Sequence, residues 1–133
     1  MKRLEPEELN KEVARCQTLG RCTEKMGDYL MRMHDIVICK AAFFRQTTVE
    51  EEEEAKSWSL QRWIQIGLFK IDLKQHPNPY SYLFRGSQLN MMNWILRERK
   101  RQAKNRIYQR EYMRELEGEF AGMQNTDPTW NND

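Results

Sequence analysis

Residues 78–114 have the sequence NPYSYLFRGSQLNMMNWILRERKRQAKNRIYQREYMR, and this stretch is the most informative part of the chain. Two prolines, Pro77 and Pro79, predict a defined turn, and proline also suits the first turn of a helix that follows it. The residues after the turn lack the alternation of apolar and polar side chains that a strand needs. We therefore predict a long helix from about Tyr80, through the basic residues, to about Glu117.

The sequence before this stretch predicts three further helices. The first spans roughly residues 7–19 and stops at Gly20. The second runs from about residue 23 to 44, and Thr23 is suited to cap it. The third opens with the acidic run 50–54, because negative charge is favoured at the positive end of a helix dipole. The chain is therefore predicted to be all-α, with about four helices, the last of which is long and basic.

The third helix is predicted to be apolar around more of its circumference than one buried face requires. Its apolar residues are Trp58, Leu60, Trp63, Ile64, Ile66, Leu68, Phe69 and Ile71. We expect a partner outside the chain to cover part of this surface.

At 133 residues, the chain is long enough for one domain with extensions. We predict an N-terminal helix or extension over residues 1–22, a helical domain over 23–117 and a flexible tail over 118–133. The tail is expected because Gly118 and Gly122 weaken the helix and the residues that follow are polar.

Charge is distributed unevenly along the chain although the net charge is only +2. Residues 50–54 are all glutamate, whereas residues 97–114 contain eight basic and two acidic side chains. A phosphate backbone responds to such a local patch more than to the net charge. The apolar runs are too short to cross a membrane, and the N-terminus lacks an apolar export signal. We expect an intracellular protein with no membrane partner.

No combination of residues points to catalysis, a metal or a cofactor. The chain has no glycine-rich phosphate loop, and its two histidines, His34 and His76, lie in different segments. Cys16, Cys22 and Cys39 lack the close pairing of a zinc site, so we expect reduced thiols. The sequence therefore predicts a binding protein, with no catalytic residues, no metal site and no cofactor.

The predicted fourth helix carries three kinds of side chain that suit nucleic acid. Aromatic rings stack on unpaired bases, amides bond to base edges, and basic residues pair with phosphates. We expect base contacts above all from Tyr82 and Trp94, with hydrogen bonds from Gln88, Asn90 and Asn93. The alternatives are that the aromatic residues pack in the core and that the amides only face solvent.

Two motifs resemble region two of bacterial sigma factors. Residues 59–70, SLQRWIQIGLFK, resemble the pattern Asp-Leu-x-Gln-Glu-x-x-Ile-Gly-Leu-x-Lys. Residues 78–85, NPYSYLFR, followed by RERKR at 97–101, resemble the pattern Phe-x-x-(Trp/Tyr)-Leu and a helix that closes with an arginine cluster. The second motif is most similar to the small late-gene sigma factors of bacteriophages. The resemblance covers roughly residues 27–104.

The resemblance implies an all-helical factor in the cytoplasm of a bacterial host cell. It would bind the clamp helices of the RNA polymerase β′ subunit, recognise a −10-like promoter element and capture unpaired nontemplate bases. Residues that would face polymerase are Ser59, Arg62, Trp63, Gln65 and Phe69. Residues that would lie near melted DNA are Tyr80, Tyr82, Arg85, Gln88, Asn93 and Trp94. Residues that would contact its backbone are Arg97, Arg99, Lys100, Arg101 and Lys104.

The chain also departs from the family pattern. Ser59, Arg62 and Trp63 replace the polar Asp, Gln and Glu of the polymerase face, so that contact must be made differently. Arg85 and Gly86 stand where major sigma factors carry paired tryptophans for the melted junction.

Other functions remain compatible with the sequence. A tail formed by residues 117–120 and Trp130 is a candidate site for a coactivator or sliding clamp. The alternative functions are a free-standing nucleic-acid-binding protein and a regulator that docks on RNA polymerase.

Overall fold

The structure, a computed structural model, describes residues 5–126, and within them every side chain except those of Phe120 and residues 122–126. Over this range the chain is all-helical without strands, which confirms the predicted fold class. The α-helices are α1 (Pro6–Leu19), α2 (Glu24–Lys40), α3 (Val49–Gln65) and α4 (Tyr80–Thr126), and two 3₁₀ turns span Ala42–Gln46 and Gly67–Lys70. No helix in the described range combines the length and the apolar character needed to cross a membrane.

The predicted start and end of α1 and the cap of α2 are confirmed. Pro6 is the first residue of α1, and Gly20 ends it in a left-handed conformation with φ of 71°, which glycine adopts without strain. The Thr23 side chain accepts a hydrogen bond from the Met26 N–H at 3.2 Å and so caps α2.

The predicted end of α2 at Phe44 is wrong. The helix stops at Lys40, and the following 3₁₀ turn places Phe44 in the core, where its side chain is 5% exposed. If α2 had continued, the helical period would have set the direction of the Phe44 side chain. The 3₁₀ turn instead allows the Phe44 ring to pack against the core.

A capping box begins α3. The Thr48 Oγ1 accepts from the Glu51 N–H at 3.1 Å, and the Glu51 Oε1 accepts from the Thr48 N–H at 3.0 Å. The acidic run therefore has a structural role at the helix start. The predicted continuation of this helix to Ile71 is wrong, because Ile66 leaves helical geometry and a 3₁₀ turn follows.

The turn before α4 is held by Asn78 and Pro79. The Asn78 Oδ1 accepts a hydrogen bond from the Tyr80 N–H at 3.2 Å, and Pro79 is fully buried. The helix then continues through Gly118 and Gly122 to Thr126, beyond the predicted end at Glu117. Helix α4 thus includes residues 118–126 of the predicted tail. Trp130 lies outside the described residues.

The chain divides into two units, Met1–Leu96 and Arg97–Asp133. The first unit contains the core, which includes Leu9, Val13 and Cys16 of α1. Helix α1 therefore contributes to the same core as the later helices, and the predicted boundary at residue 22 stays a prediction. In the second unit, no described side chain belongs to the core, and every residue from 100 to 119 is exposed.

Candidate nucleic-acid and partner-binding site

Trp63 connects α3 to α4 from inside the first unit. Its side chain is 5% exposed, and its Nε1–H donates to the Ser87 Oγ at 3.0 Å. The indole also lies directly against the backbone of Gly67 and Gly86, since a Cβ at Gly86 would stand 2.6 Å from Trp63 Cζ2. Burial therefore leaves only a small part of the ring for a partner, and the polymerase contact predicted for Trp63 stays a prediction.

Ser59 is also buried, and it belongs to a hydrogen-bonded pair. The Ser59 Oγ lies 2.7 Å from the His34 Nε2, and the His34 Nδ1 lies 2.7 Å from the Leu30 carbonyl oxygen. A carbonyl oxygen only accepts, so Nδ1 carries the proton and Nε2 accepts from the serine hydroxyl. Burial lowers the pKa of His34, which favours this neutral form. Ser59 thus forms a hydrogen bond inside the protein, and the polymerase contact predicted for it stays a prediction.

The other three residues predicted to face polymerase remain accessible to different degrees. Arg62 and Gln65 are exposed, and Phe69 is half-buried. The Arg62 guanidinium carbon lies 5.4 Å from the centre of the Trp58 ring, which positions the charge by a cation–π contact.

A pocket of about 370 Å³ opens beside Arg62, between the C-terminal end of α3 and the first part of α4. We call it the α3–α4 pocket. Its lining residues are Arg62, Trp63, Ile66, Gly67, Lys70, Tyr82, Arg85, Gly86, Leu89 and Asn90. Three of these side chains are cationic and none is acidic. Within residues 5–126, no carboxylate lies within ion-pair distance of Arg62, Lys70 or Arg85.

The aromatic residues predicted to contact bases differ in accessibility. Tyr80 and Trp94 are half-buried against the core, and the Tyr80 ring lies 6.0 Å from that of Phe84. Tyr82 is 39% exposed, but its ring packs at 4.8 Å from the His76 ring and 6.1 Å from that of Trp63. Packing thus occupies much of the surface of these aromatic residues.

The polar residues predicted near melted DNA are more available. Arg85 and Asn93 are exposed, and Gln88 is half-buried. Tyr82, Arg85, Leu89 and Asn93 are all exposed and follow one another at helical spacing, so they form one stripe along α4. The structure thus brings together three of the six predicted DNA residues and places Gln88, Tyr80 and Trp94 off this stripe.

The predicted backbone contacts lie in the second unit. Arg97, Lys100, Arg101 and Lys104 are exposed, and Arg99 is half-buried. Arg101 forms an ion pair with Glu98, three residues before it, and this contact lowers the pKa of the Glu98 carboxyl. The Glu98 carboxylate thus offsets part of the positive charge.

Sequence reasoning missed the contribution of Lys70, Gly86 and Ser87 to this region. The one available signal was the presence of two glycines, Gly67 and Gly86, in segments that otherwise favour helix, because such glycines often mark a close packing contact.

The histidines and cysteines do not form a metal centre in the described range, where no three candidate ligands cluster. Cys16, Cys22 and Cys39 are free thiols. Burial raises the pKa of Cys22 to about 11. Its thiol is therefore protonated at neutral pH and is a weak nucleophile.

Comparison with protein-family models gives no match to the chain, and comparison with curated proteins gives none either. The likeness to sigma factors therefore consists of the two motifs alone.

Proposed function

We propose that this chain is a small sigma-type factor that binds bacterial RNA polymerase and directs it to promoters. It would do so by recognising a −10-like element and the single-stranded nontemplate DNA next to it. The observation that carries the proposal is the exposed basic segment of α4, which follows the Asn-Pro-aromatic turn in the order typical of the sigma pattern.

The charge of the basic segment supports contact with phosphate. Residues 97–114 carry eight basic side chains against two acidic ones, and like charges three or four residues apart destabilise a helix. Bound phosphates remove this repulsion and release counterions from the nucleic acid. Binding of a polyanion therefore stabilises this segment more than it would stabilise a helix of balanced charge.

The exposed stripe on α4 supports contact with bases. Asn93 offers both a donor and an acceptor to a base edge, and Arg85 offers a planar group that suits a base or a phosphate. Tyr82 contributes the accessible part of its ring. These residues occupy the region that the sigma pattern assigns to melted DNA.

Contact with polymerase is supported by the exposed end of α3. Ile64 and Ile66 are 41% and 47% exposed, and Arg62 and Gln65 are exposed beside them. An apolar patch with polar neighbours is typical of a protein interface. The proposed polymerase contact therefore uses this patch and not Ser59 or Trp63.

In this proposal the chain works by binding alone. Phosphate contacts supply salt-sensitive affinity, and contacts to unpaired bases stabilise the open strand relative to the duplex. The chemical step belongs to the polymerase.

The test is transcription by purified bacterial core RNA polymerase on a promoter library, with and without the chain. We expect discrete transcripts that begin downstream of a shared promoter element only when the chain is present. A chain that binds single-stranded DNA by itself but yields no such transcripts would be a free-standing nucleic-acid-binding protein. A chain that binds polymerase without changing the start sites would be a regulator. Either result contradicts the proposal.

A further inference from the structure

The α3–α4 pocket has a chemical character that the proposed function does not explain. It is lined by residues of α3, of the Gly67–Lys70 turn and of α4, all within the first unit. Its volume of about 370 Å³ suits a few side chains or one small ligand.

The pocket offers little surface on which a base could stack. Trp63 forms part of its wall but is 5% exposed. Tyr82 already has His76 at a ring separation of 4.8 Å. Base binding by stacking needs an open aromatic face, so the pocket is poorly suited to an unpaired base.

Aliphatic side chains line the mouth of the pocket. Ile66 is 47% exposed and Leu89 is 43% exposed, and both belong to the lining. An aliphatic ligand would remove these surfaces from water, whereas a sugar-phosphate chain would not.

Positive charge surrounds this aliphatic surface. Arg62, Lys70 and Arg85 all belong to the lining, and no acidic residue is part of it. Among the described residues no carboxylate pairs with these three cations. Charge complementarity therefore calls for a ligand that carries carboxylates beside an aliphatic group.

We propose that the α3–α4 pocket is the docking site for an acidic, aliphatic segment of the RNA polymerase. One aliphatic side chain of that segment enters between Ile66 and Leu89, and its neighbouring carboxylates pair with Arg62 and Lys70. This inference rests on the proposed function, since it names the chemistry of the polymerase surface that the chain recognises.

The first experiment measures binding of a fluorescein-labelled synthetic peptide, GEELLEDLLEEG, to the full chain by fluorescence anisotropy at low salt. We expect saturable binding. The charge requirement is tested by replacing every acidic residue of the peptide with its amide, and the aliphatic requirement by replacing every leucine with serine. Each change is expected to weaken binding at least about tenfold, because both halves of the contact are needed.

Variants of the chain locate the binding site. The double variant Arg62→Gln with Lys70→Gln is expected to bind the acidic peptide about tenfold more weakly, and Ile66→Ser several-fold more weakly. The control variant Lys25→Gln with Lys40→Gln removes two exposed charges from α2 and should bind like the original chain. Circular dichroism confirms that each variant is folded. Equal binding by the pocket variant and the control, or no binding by the original chain, would overturn the inference.

Purified core polymerase separates this inference from the proposed function. If polymerase binds the original chain and binds the Arg62→Gln/Lys70→Gln variant about tenfold more weakly, both are supported. Equal polymerase binding by the two would overturn the docking site while leaving the sigma function intact. A chain that fails to bind polymerase would overturn the function and the named source of the segment. If an unlabelled single-stranded oligodeoxynucleotide displaces the peptide, and its own binding falls in the pocket variant, the pocket binds nucleic acid instead.

Discussion

Trp63 and Tyr112 are both aromatic residues on helices, but Trp63 is 5% exposed and Tyr112 is 62% exposed. The first belongs to the unit with the core, where its ring contacts the backbone of two glycines. The second belongs to the unit 97–133, where every side chain from residue 100 to 119 is exposed. Trp63 therefore stabilises the fold, whereas the side chains from residue 100 to 119 are available for contact with other molecules.

This difference changes which residues support the function. Several aromatic residues that resemble binding residues in sequence are structural in the first unit. In the second unit Arg101 pairs with Glu98, and the basic side chains from residue 100 to 114 are exposed. We expect substitutions in the two units to separate stability from binding.

The largest expected effect is that of Trp63→Ala. Removing this buried indole leaves a cavity and an unpaired Ser87 hydroxyl, so the free energy of unfolding should fall by about 3–5 kcal/mol. The matched substitution Tyr112→Ala should change it by less than about 0.5 kcal/mol. Urea unfolding followed by circular dichroism measures both. Similar losses for the two variants would contradict the division between the units.

Glycine substitutions in the two units test the same difference in stability, with a smaller expected effect. A Cβ at Gly86 would stand 2.6 Å from Trp63 Cζ2, whereas a Cβ at Gly118 would meet nothing within 4 Å. We expect Gly86→Ala to destabilise the chain by about 1–3 kcal/mol, because the ring must shift. Gly118→Ala should raise helix content slightly, since alanine favours helix by about 1 kcal/mol. If thermal unfolding shows Gly86→Ala to be harmless, the contact with Trp63 is wrong.

The His34–Ser59 pair predicts a pH dependence that arises in the first unit. Burial lowers the pKa of His34 in the folded state below its unfolded value of 6.5. Above that value the imidazole is neutral in both states and adds no pH dependence. As the pH falls below it, the unfolded state takes up the proton first, so the free energy of unfolding decreases.

His34→Gln should remove this part of the pH dependence. Unfolding in urea from about pH 5 to 8 measures it. Asp35 and Lys56 are the charged neighbours, and His76 is the other histidine, so His76→Gln is the control. If the free energy of unfolding depends on pH in the same way in His34→Gln as in the original chain, the buried imidazole is not the source of this dependence.

The sequence was sufficient for features that depend on neighbouring residues. The all-α class, the stop at Gly20 and the cap at Thr23 follow from local propensity and are confirmed. The end of α2 was not predictable in this way, because it depends on the packing of Phe44 against core residues that are distant in sequence. Burial of Trp63 likewise depends on Gly86 and Ser87, which lie more than twenty residues further along the chain.

The candidate site could be predicted only for the part of α4 that does not pack against the core. The exposed basic residues follow from charge, since a helix with eight cations in eighteen residues cannot be buried. Two residues of the predicted polymerase-facing set, Ser59 and Trp63, are buried, because helical period does not say which residues the chain itself covers. The α3–α4 pocket combines side chains from three segments, so no single pattern in the sequence contains it.

Salt dependence of polymerase–promoter complexes tests most directly whether the exposed cations of α4 contact phosphates. The variant Lys100→Ala with Lys104→Ala removes two exposed charges, and Lys25→Ala with Lys40→Ala is the matched control on α2. With single-stranded phosphates, each lost contact should reduce the slope of log affinity against log salt by about 0.7. We predict a slope reduced by about 1.4 for the α4 variant and an unchanged slope for the control. Equal slopes for both variants would contradict the account.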